Sequence, residues 1–274
     1  MKKSLLALAV LAASGAAMAQ SSVTLYGVAD AGVTYVNGDK SWSGVTSGNN
    51  LTSRIGFRGV EDLGGGLKAN FRLEAGLNLD NGDGNSGYST SNAANGLAFK
   101  RQSTVGLEGG FGEVRLGREL TAAYNATARY DVFGSVGLGQ SRLWANGNIA
   151  DDNVTSYAAA QTTNQRVSNA VTYVSPNFSG FKAAVNYGFG EVAGANSDRQ
   201  YLGAGVTYDN GPLSLGLGLE RLNKDTATNS GKISVWSLGG SYDLGVAKIL
   251  AGYRDSKGDR GLPVMTRPRA TCWL

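Results

Sequence analysis

Apolar and polar side chains alternate with a period of two in segment after segment of this chain, and no apolar run approaches the roughly 20 residues that a membrane-spanning helix needs. Residues 23–35 set Val23, Leu25, Gly27, Ala29, Ala31, Val33 and Tyr35 on one face against Thr24, Tyr26, Val28, Asp30, Gly32 and Thr34 on the other. Residues 180–190 set Phe181, Ala183, Val185, Tyr187 and Phe189 against Lys182, Ala184, Asn186 and Gly188. Residues 213–220 set Leu213, Leu215, Leu217 and Leu219 against Ser214, Gly216, Gly218 and Glu220. The pattern recurs at 54–60, 67–77, 99–108, 113–118, 166–174, 201–208, 232–242 and 246–254. That predicts about eleven strands near the roughly 10-residue length of an outer-membrane span. In lipid every backbone N–H and C=O needs a partner inside a helix or a closed sheet. A membrane protein of this sequence is therefore all-β, a transmembrane antiparallel β-barrel.

The connections alternate short and long. Glu61-Asp62-Leu63-Gly64-Gly65-Gly66, residues 109–112 and 175–179, Asp209-Asn210-Gly211-Pro212 and Asp243-Leu244-Gly245 are short and rich in turn-forming residues. Those at about 36–50, 79–98, 119–164, 190–199 and 223–231 are long and filled with Asn, Ser, Gly and Asp. Short periplasmic turns and long external loops follow the barrel rule, whereas a β-sandwich has no reason to alternate this way. Tyr26, Tyr35, Phe71, Tyr173, Phe181, Tyr187, Phe189, Tyr208, Tyr242 and Tyr253 are placed as interfacial girdles on the lipid face. The other face carries Arg54, Arg58, Lys68, Asn70, Arg72, Glu74, Lys182, Asn186 and Lys248, too polar to pack as a dry core.

Lys2 and Lys3, an apolar run over residues 5–13, and Ala17-Met18-Ala19 before Gln20 have the layout of a secretory signal peptide, so residues 1–19 are expected to be removed. Histidine is absent and Cys272 is the only cysteine, which removes Ser-His-Asp and Cys-His nucleophiles, His-ligated metals and an intramolecular disulfide. No catalytic residue, cofactor or metal is expected. Of the 25 basic residues two lie in the leader and four after residue 254, and two of the 21 acidic residues lie after 254, which leaves residues 20–254 with 19 of each. That body is neutral and has no basic stripe for nucleic acid. Glycine, at 41 residues, far exceeds its usual share of about 7%, and proline, at 4, is scarce.

Four stretches carry a family resemblance: Val23-Thr24-Leu25-Tyr26-Gly27-Val28-Ala29-Asp30-Ala31-Gly32; Ser53-Arg54-Ile55-Gly56-Phe57-Arg58-Gly59 followed by residues 61–69; Arg101-Gln102-Ser103-Thr104-Val105-Gly106-Leu107; and residues 112–118. In this combination residues 20–254 resemble the Gram-negative general porins of the beta-proteobacterial and neisserial kind. The resemblance implies a 16-stranded barrel, usually a homotrimer, whose third external loop folds inward to narrow the pore. That loop is residues 119–164 here.

The resemblance also implies a basic wall facing acidic groups on the loop. Arg54 and Arg101 match the wall arginines of the second and fourth strands, Arg166 that of the sixth, and Arg58 shares the parity of Arg54. By parity Arg101 groups with Ser103, Val105 and Leu107 on the lipid side unless a bulge at the rim turns it inward. Asp131, in Tyr130-Asp131-Val132-Phe133-Gly134, and Glu119 are the acidic candidates, with Asp151-Asp152 beside them. Related channels often carry a basic residue on strand one where this chain has Val28.

The implied function is passive diffusion of small hydrophilic solutes and ions through the Gram-negative outer membrane, with membrane lipid and further copies of the chain as partners. The alternatives are a structural or adhesive barrel, a substrate-specific porin, an outer-membrane enzyme, which the missing histidine disfavours, and a non-functional fragment. After Arg254 the alternation stops, and residues 261–274 include Pro263, Pro268 and Cys272. Residues 255–274 are therefore expected to be an aberrant non-barrel tail on a C-terminally truncated or frameshifted, incomplete barrel that fails to form a heat-resistant oligomer.

Overall fold

The computed structural model describes residues 22–84, 96–134, 136, 165–190, 200–225, 230–258 and 269–273. The leader 1–19, Asp151-Asp152 and most of the 119–164 loop lie outside these residues. Fourteen strands run in chain order: β1 (Ser22–Val28), β2 (Ala31–Val36), β3 (Trp42–Ser47), β4 (Arg54–Gly64), β5 (Leu67–Gly76), β6 (Gln102–Gly109), β7 (Gly112–Leu120), β8 (Arg166–Val174), β9 (Phe181–Gly188), β10 (Tyr201–Asn210), β11 (Leu213–Asp225), β12 (Ser230–Asp243), β13 (Lys248–Gly258) and β14 (Arg269–Trp273). Among the described residues one helix, α1 (Ala122–Thr127), follows β7.

Twelve strands form one sheet in the order β1-β4-β5-β6-β7-β8-β9-β10-β11-β12-β13-β14, each antiparallel to the next. Among the described residues β1 and β14, the two ends of this sheet, do not pair with each other, and the barrel is not closed. Alternation sets the faces: Leu215, Leu217 and Leu219 are 43%, 38% and 48% exposed, while Glu220 on the other face is buried at 8%. A sheet that turns its leucines outward and its polar groups inward is built for a lipid surround.

The sequence pattern and the structure part in four places. Residues 23–35 are not one strand: β1 stops at Val28 and β2 pairs with β3 in a separate two-stranded sheet. Asp30 makes the break. Its carboxylate accepts the backbone N–H groups of Asn49, Asn50 and Leu51 at 2.9, 3.0 and 2.7 Å, and Ser53 Oγ accepts the Asp30 N–H at 2.9 Å. Residues 36–50, expected as loop, thereby contain β3. Strand β13 continues past Arg254 to Gly258, because Asp255, Ser256 and Lys257 keep register with Trp236, Val235 and Ser234. Part of the expected non-barrel tail is strand β14, which pairs Trp273 with Leu250 and Arg269 with Arg254 and begins after both prolines. The main sheet thus has twelve strands where about eleven were expected.

The N–H donors, Leu51 foremost, hold the Asp30 carboxyl below the usual carboxylate range. A depressed folded pKa contributes order that is present above the unfolded value and is lost as pH falls through the folded one, so acid should loosen this turn only below about pH 4. Asp30→Asn is expected to speed amide exchange at Asn49–Leu51 at neutral pH. Unchanged protection there would remove Asp30 from this role.

Candidate pore constriction

Helix α1 is short and alanine-rich, Ala122-Ala123-Tyr124-Asn125-Ala126-Thr127, and needs help at its start. Thr121 caps it, its side chain accepting the Tyr124 N–H at 3.2 Å. The Ala122 N–H donates to Asn186 Oδ1, and Asn186 in turn donates to Thr172 Oγ1. The helix lies on the inner face of β9–β12.

Glycine makes that seat possible. The inner faces of β10, β11 and β12 present Gly205, Gly216, Gly218 and Gly239 side by side in register. A Cβ at Gly205 would run into the carbonyl oxygen of Ala122, one at Gly216 into that of Ala126, and one at Gly239 into the Tyr130 ring; at Gly218 it would lie 2.8 Å from the Ala123 oxygen. The helix backbone rests directly on strand backbone. Past the helix, a 3-10 turn over Ala128–Tyr130 is pinned to the wall. The Tyr130 hydroxyl bonds Ser214 Oγ at 2.9 Å, and Arg129 donates two bonds to the Asp209 carboxylate at 3.0 and 2.9 Å.

At the helix start, a buried cluster joins loop and wall. Arg254 Nη2 lies 3.0 Å from Glu220 Oε2, and Tyr201 Oη donates to Glu220 Oε1 at 2.8 Å, with the Thr121 hydroxyl at 3.5 Å from the same oxygen. Alternation places Glu220 on the inner face but carries no sign of its partners, which come from β10, β13 and the loop.

A different arc of the sheet carries the arginines. Arg54 and Arg58 project inward from β4, as does Arg72 from β5; the Arg58 and Arg72 guanidiniums each lie 5.7 Å from the centre of the Tyr26 ring. Tyr26 therefore belongs to the inner face and not to the outer girdle, as its place opposite Gly56 requires. Arg101 also points inward: it stands one residue before β6, where the strand's alternation does not bind it, and its Nε lies 2.7 Å from Glu74 Oε1. Arg166 is buried and donates from Nε to the Arg101 carbonyl at 2.8 Å, so these two predicted arginines come together with Glu74 between β5 and β8.

The acidic candidates separate. Glu119 lies in β7 and not in the loop, and it is held by Arg115 on its own strand at 2.7 Å. Asp131 is buried at the end of the 3-10 turn, where its carboxylate accepts the Phe133 N–H at 3.1 Å. Glu74, named in the sequence only as one polar inner residue, is the carboxylate that meets the arginines; its signal was its place opposite Gly56 on the Arg58 strand. Among the described residues no group of three or more His, Cys, Asp or Glu side chains is gathered to hold a metal ion.

An antiparallel sheet with a lipid-facing apolar stripe, a helix seated on its inner face and arginines on another arc defines the wall of a β-barrel membrane channel. Residues 5–264 match the Gram-negative porin family. The chain is 46% identical over 275 residues to Outer membrane porin protein 32 of Delftia acidovorans, spanning 96% of this chain and 72% of that protein. It is 33% identical over 281 residues to Major outer membrane protein P.IB of Neisseria gonorrhoeae, spanning 94% and 72%. The solved structure of the anion-selective porin from Comamonas acidovorans superposes with a TM-score of 0.72 at 40% identity, covering 92% of this chain and 72% of that one. The chain belongs to the Gram-negative porin family and is an outer-membrane porin. The family match continues past Arg254, where the resemblance read from the sequence stopped.

Proposed function

We propose that this porin favours anions among the small hydrophilic solutes it passes, without catalysis, with Arg54, Arg58, Arg101 and Arg166 as the basic wall of its constriction and the segment that follows β7, up to residue 164, as the inward loop. One observation carries the reading: Glu74 is engaged by Arg101, while Arg54, Arg58 and Arg72 have no carboxylate partner among the described residues. Among the described residues the Arg54 guanidinium donates to the Thr52 carbonyl at 3.4 Å and that of Arg72 to Gln102 Oε1 at 3.4 Å. Fixed, uncompensated guanidiniums in a water-filled passage raise the local anion concentration. The anion-selective relative supports the same sign. Glu119 is already bound by Arg115, so Asp131 carries the loop's acidic role in this reading. Family membership supports a homotrimer as the assembly of a full-length barrel of this kind, and the N-terminal pattern supports removal of residues 1–19 on export.

The test is a triple variant, Arg54, Arg101 and Arg166 each to Gln. A unit charge about 8 Å from a passing ion in a water-like dielectric contributes roughly 0.5 kcal/mol, so losing three should lower the anion-to-cation permeability ratio on the order of tenfold. The reversal potential in a salt gradient reads this directly. An unchanged reversal potential would place the selective charges elsewhere.

A further inference from the structure

Tyr26 lies at the centre of the arginine arc. Register puts it in one row across the sheet with Gly56, Glu74 and Gln102, between a row holding Arg58 and Arg72 and a row holding Arg54. A Cβ at residue 56 would come within 2.5 Å of the Tyr26 ring, so the ring lies across the bare backbone of β4 and reaches β5. There its hydroxyl donates to Glu74 Oε2 at 2.9 Å, while Arg101 Nε holds Oε1 at 2.7 Å. Both oxygens of the carboxylate are thus taken, one by a cation and one by a neutral donor.

We propose that Tyr26 is a positioning residue for selectivity: by occupying the second oxygen of Glu74 it keeps that negative charge beside Arg101 and away from a second arginine, so that the other guanidiniums of the wall face the water undamped. Further cations are at hand: the Arg58 and Arg72 guanidiniums lie 5.7 Å from the Tyr26 ring centre, and Arg54 stands in the next inner row of β4. A half-buried carboxylate oxygen left without a donor is costly, and a neighbouring guanidinium can turn to supply the missing bond. The ring has a second task. With Arg58 and Arg72 each 5.7 Å from its centre, it gives both cations an electron-rich surface in place of a carboxylate. The chain thereby holds Arg58 and Arg72 without a carboxylate to neutralise them.

This inference rests on the anion-favouring reading, and the experiment keeps the two apart. Tyr26→Phe keeps the ring on Gly56 and removes only the hydroxyl. Reversal potentials in planar bilayers are compared for the unsubstituted protein, Tyr26→Phe, Glu74→Gln and the double variant. Tyr26→Phe alone is expected to lower the anion-to-cation permeability ratio by less than the roughly twofold effect of one whole charge at about 8 Å in a water-like dielectric, because the carboxylate charge moves and the net charge of the wall stays the same. In the Glu74→Gln background, where no carboxylate remains to recruit a guanidinium, the same change is expected to do nothing. Gly56→Ala, which lifts the ring from its floor, should reproduce the single-variant shift. An equal shift in both backgrounds, or none in either, overturns the proposal, since a purely packing role would not depend on the charge of residue 74. A cation-favouring reversal potential in the unsubstituted protein defeats the anion reading instead, while the difference between backgrounds still reports on Tyr26.

Discussion

Replacing Gly216 by leucine should unseat α1 and turn a quiet pore into a noisy one. The first added carbon already collides with the Ala126 carbonyl, and the Tyr130 ring lies 2.9 Å from the same point. Neither backbone can yield easily: β11 is paired on both sides, to β10 and β12, and the helix is anchored through Thr121, Asn186 and the Arg129–Asp209 pair. Overpacking of this kind costs about 1–3 kcal/mol, enough to shift the seated and unseated populations by roughly 5- to 150-fold. Open-channel current should then show several conductance levels. Trypsin should cut after Arg129 in the folded protein, since Arg129 sits in the 3-10 turn that follows the helix. A variant that conducts in single, quiet steps and resists cleavage at Arg129 would show that glycine at this position is not what seats the loop.

The second large effect is on stability. Arg254→Met is expected to destabilise the sheet by about 3–5 kcal/mol, because it leaves the Glu220 carboxylate buried with its cation gone. Tyr201 and Thr121 still donate to that carboxylate, but neutral donors offset only part of the loss. Removing both charges tells a different story: Glu220→Leu in the Arg254→Met background should recover most of the lost stability, since a buried pair replaced by apolar groups of like size is close to neutral. Heat-induced loss of tryptophan fluorescence signal measures both variants. Equal destabilisation by the single and the double change would mean that packing, and not the orphaned charge, dominates. Because Thr121 caps α1 and touches the same carboxylate, Arg254→Met should also loosen the loop, and the double variant should restore the pore less fully than it restores the sheet.

Most strands were legible because lipid on one side and water on the other force strict alternation, and Leu213-Ser214-Leu215-Gly216-Leu217-Gly218-Leu219-Glu220 can satisfy both only as a strand. What alternation does not encode is anything that depends on several strands at once. Gly205, Gly216, Gly218 and Gly239 read singly as generic strand glycines; their joint meaning exists only once β10, β11 and β12 are in register. Helix α1 left no mark in the sequence either, being too short for a 3.6-residue period and held by contacts 64 to 110 residues away. Arg101 was assigned its role by position and the wrong face by parity, because parity lapses one residue outside a strand. Asp30 was counted among the polar inner residues of a long strand. Its side chain instead ends that strand by capturing three backbone amides from a loop whose fold no local window shows.

Three tyrosines, Tyr26 and Tyr201 on strands of the wall and Tyr130 in the 3-10 turn seated on it, each lie against a glycine, at residues 56, 203 and 239. An aromatic ring standing upright from a barrel wall would reach far across the bore; one laid flat on bare backbone takes up little of it. The free cross-section therefore does not shrink in proportion to the bulk of the residues that line it. Large rings can hold arginines and loop in place here while the aperture is left to other side chains. A methyl group added at any of these three glycines would tilt a ring away from the wall, and so narrow the water column without changing a single charge.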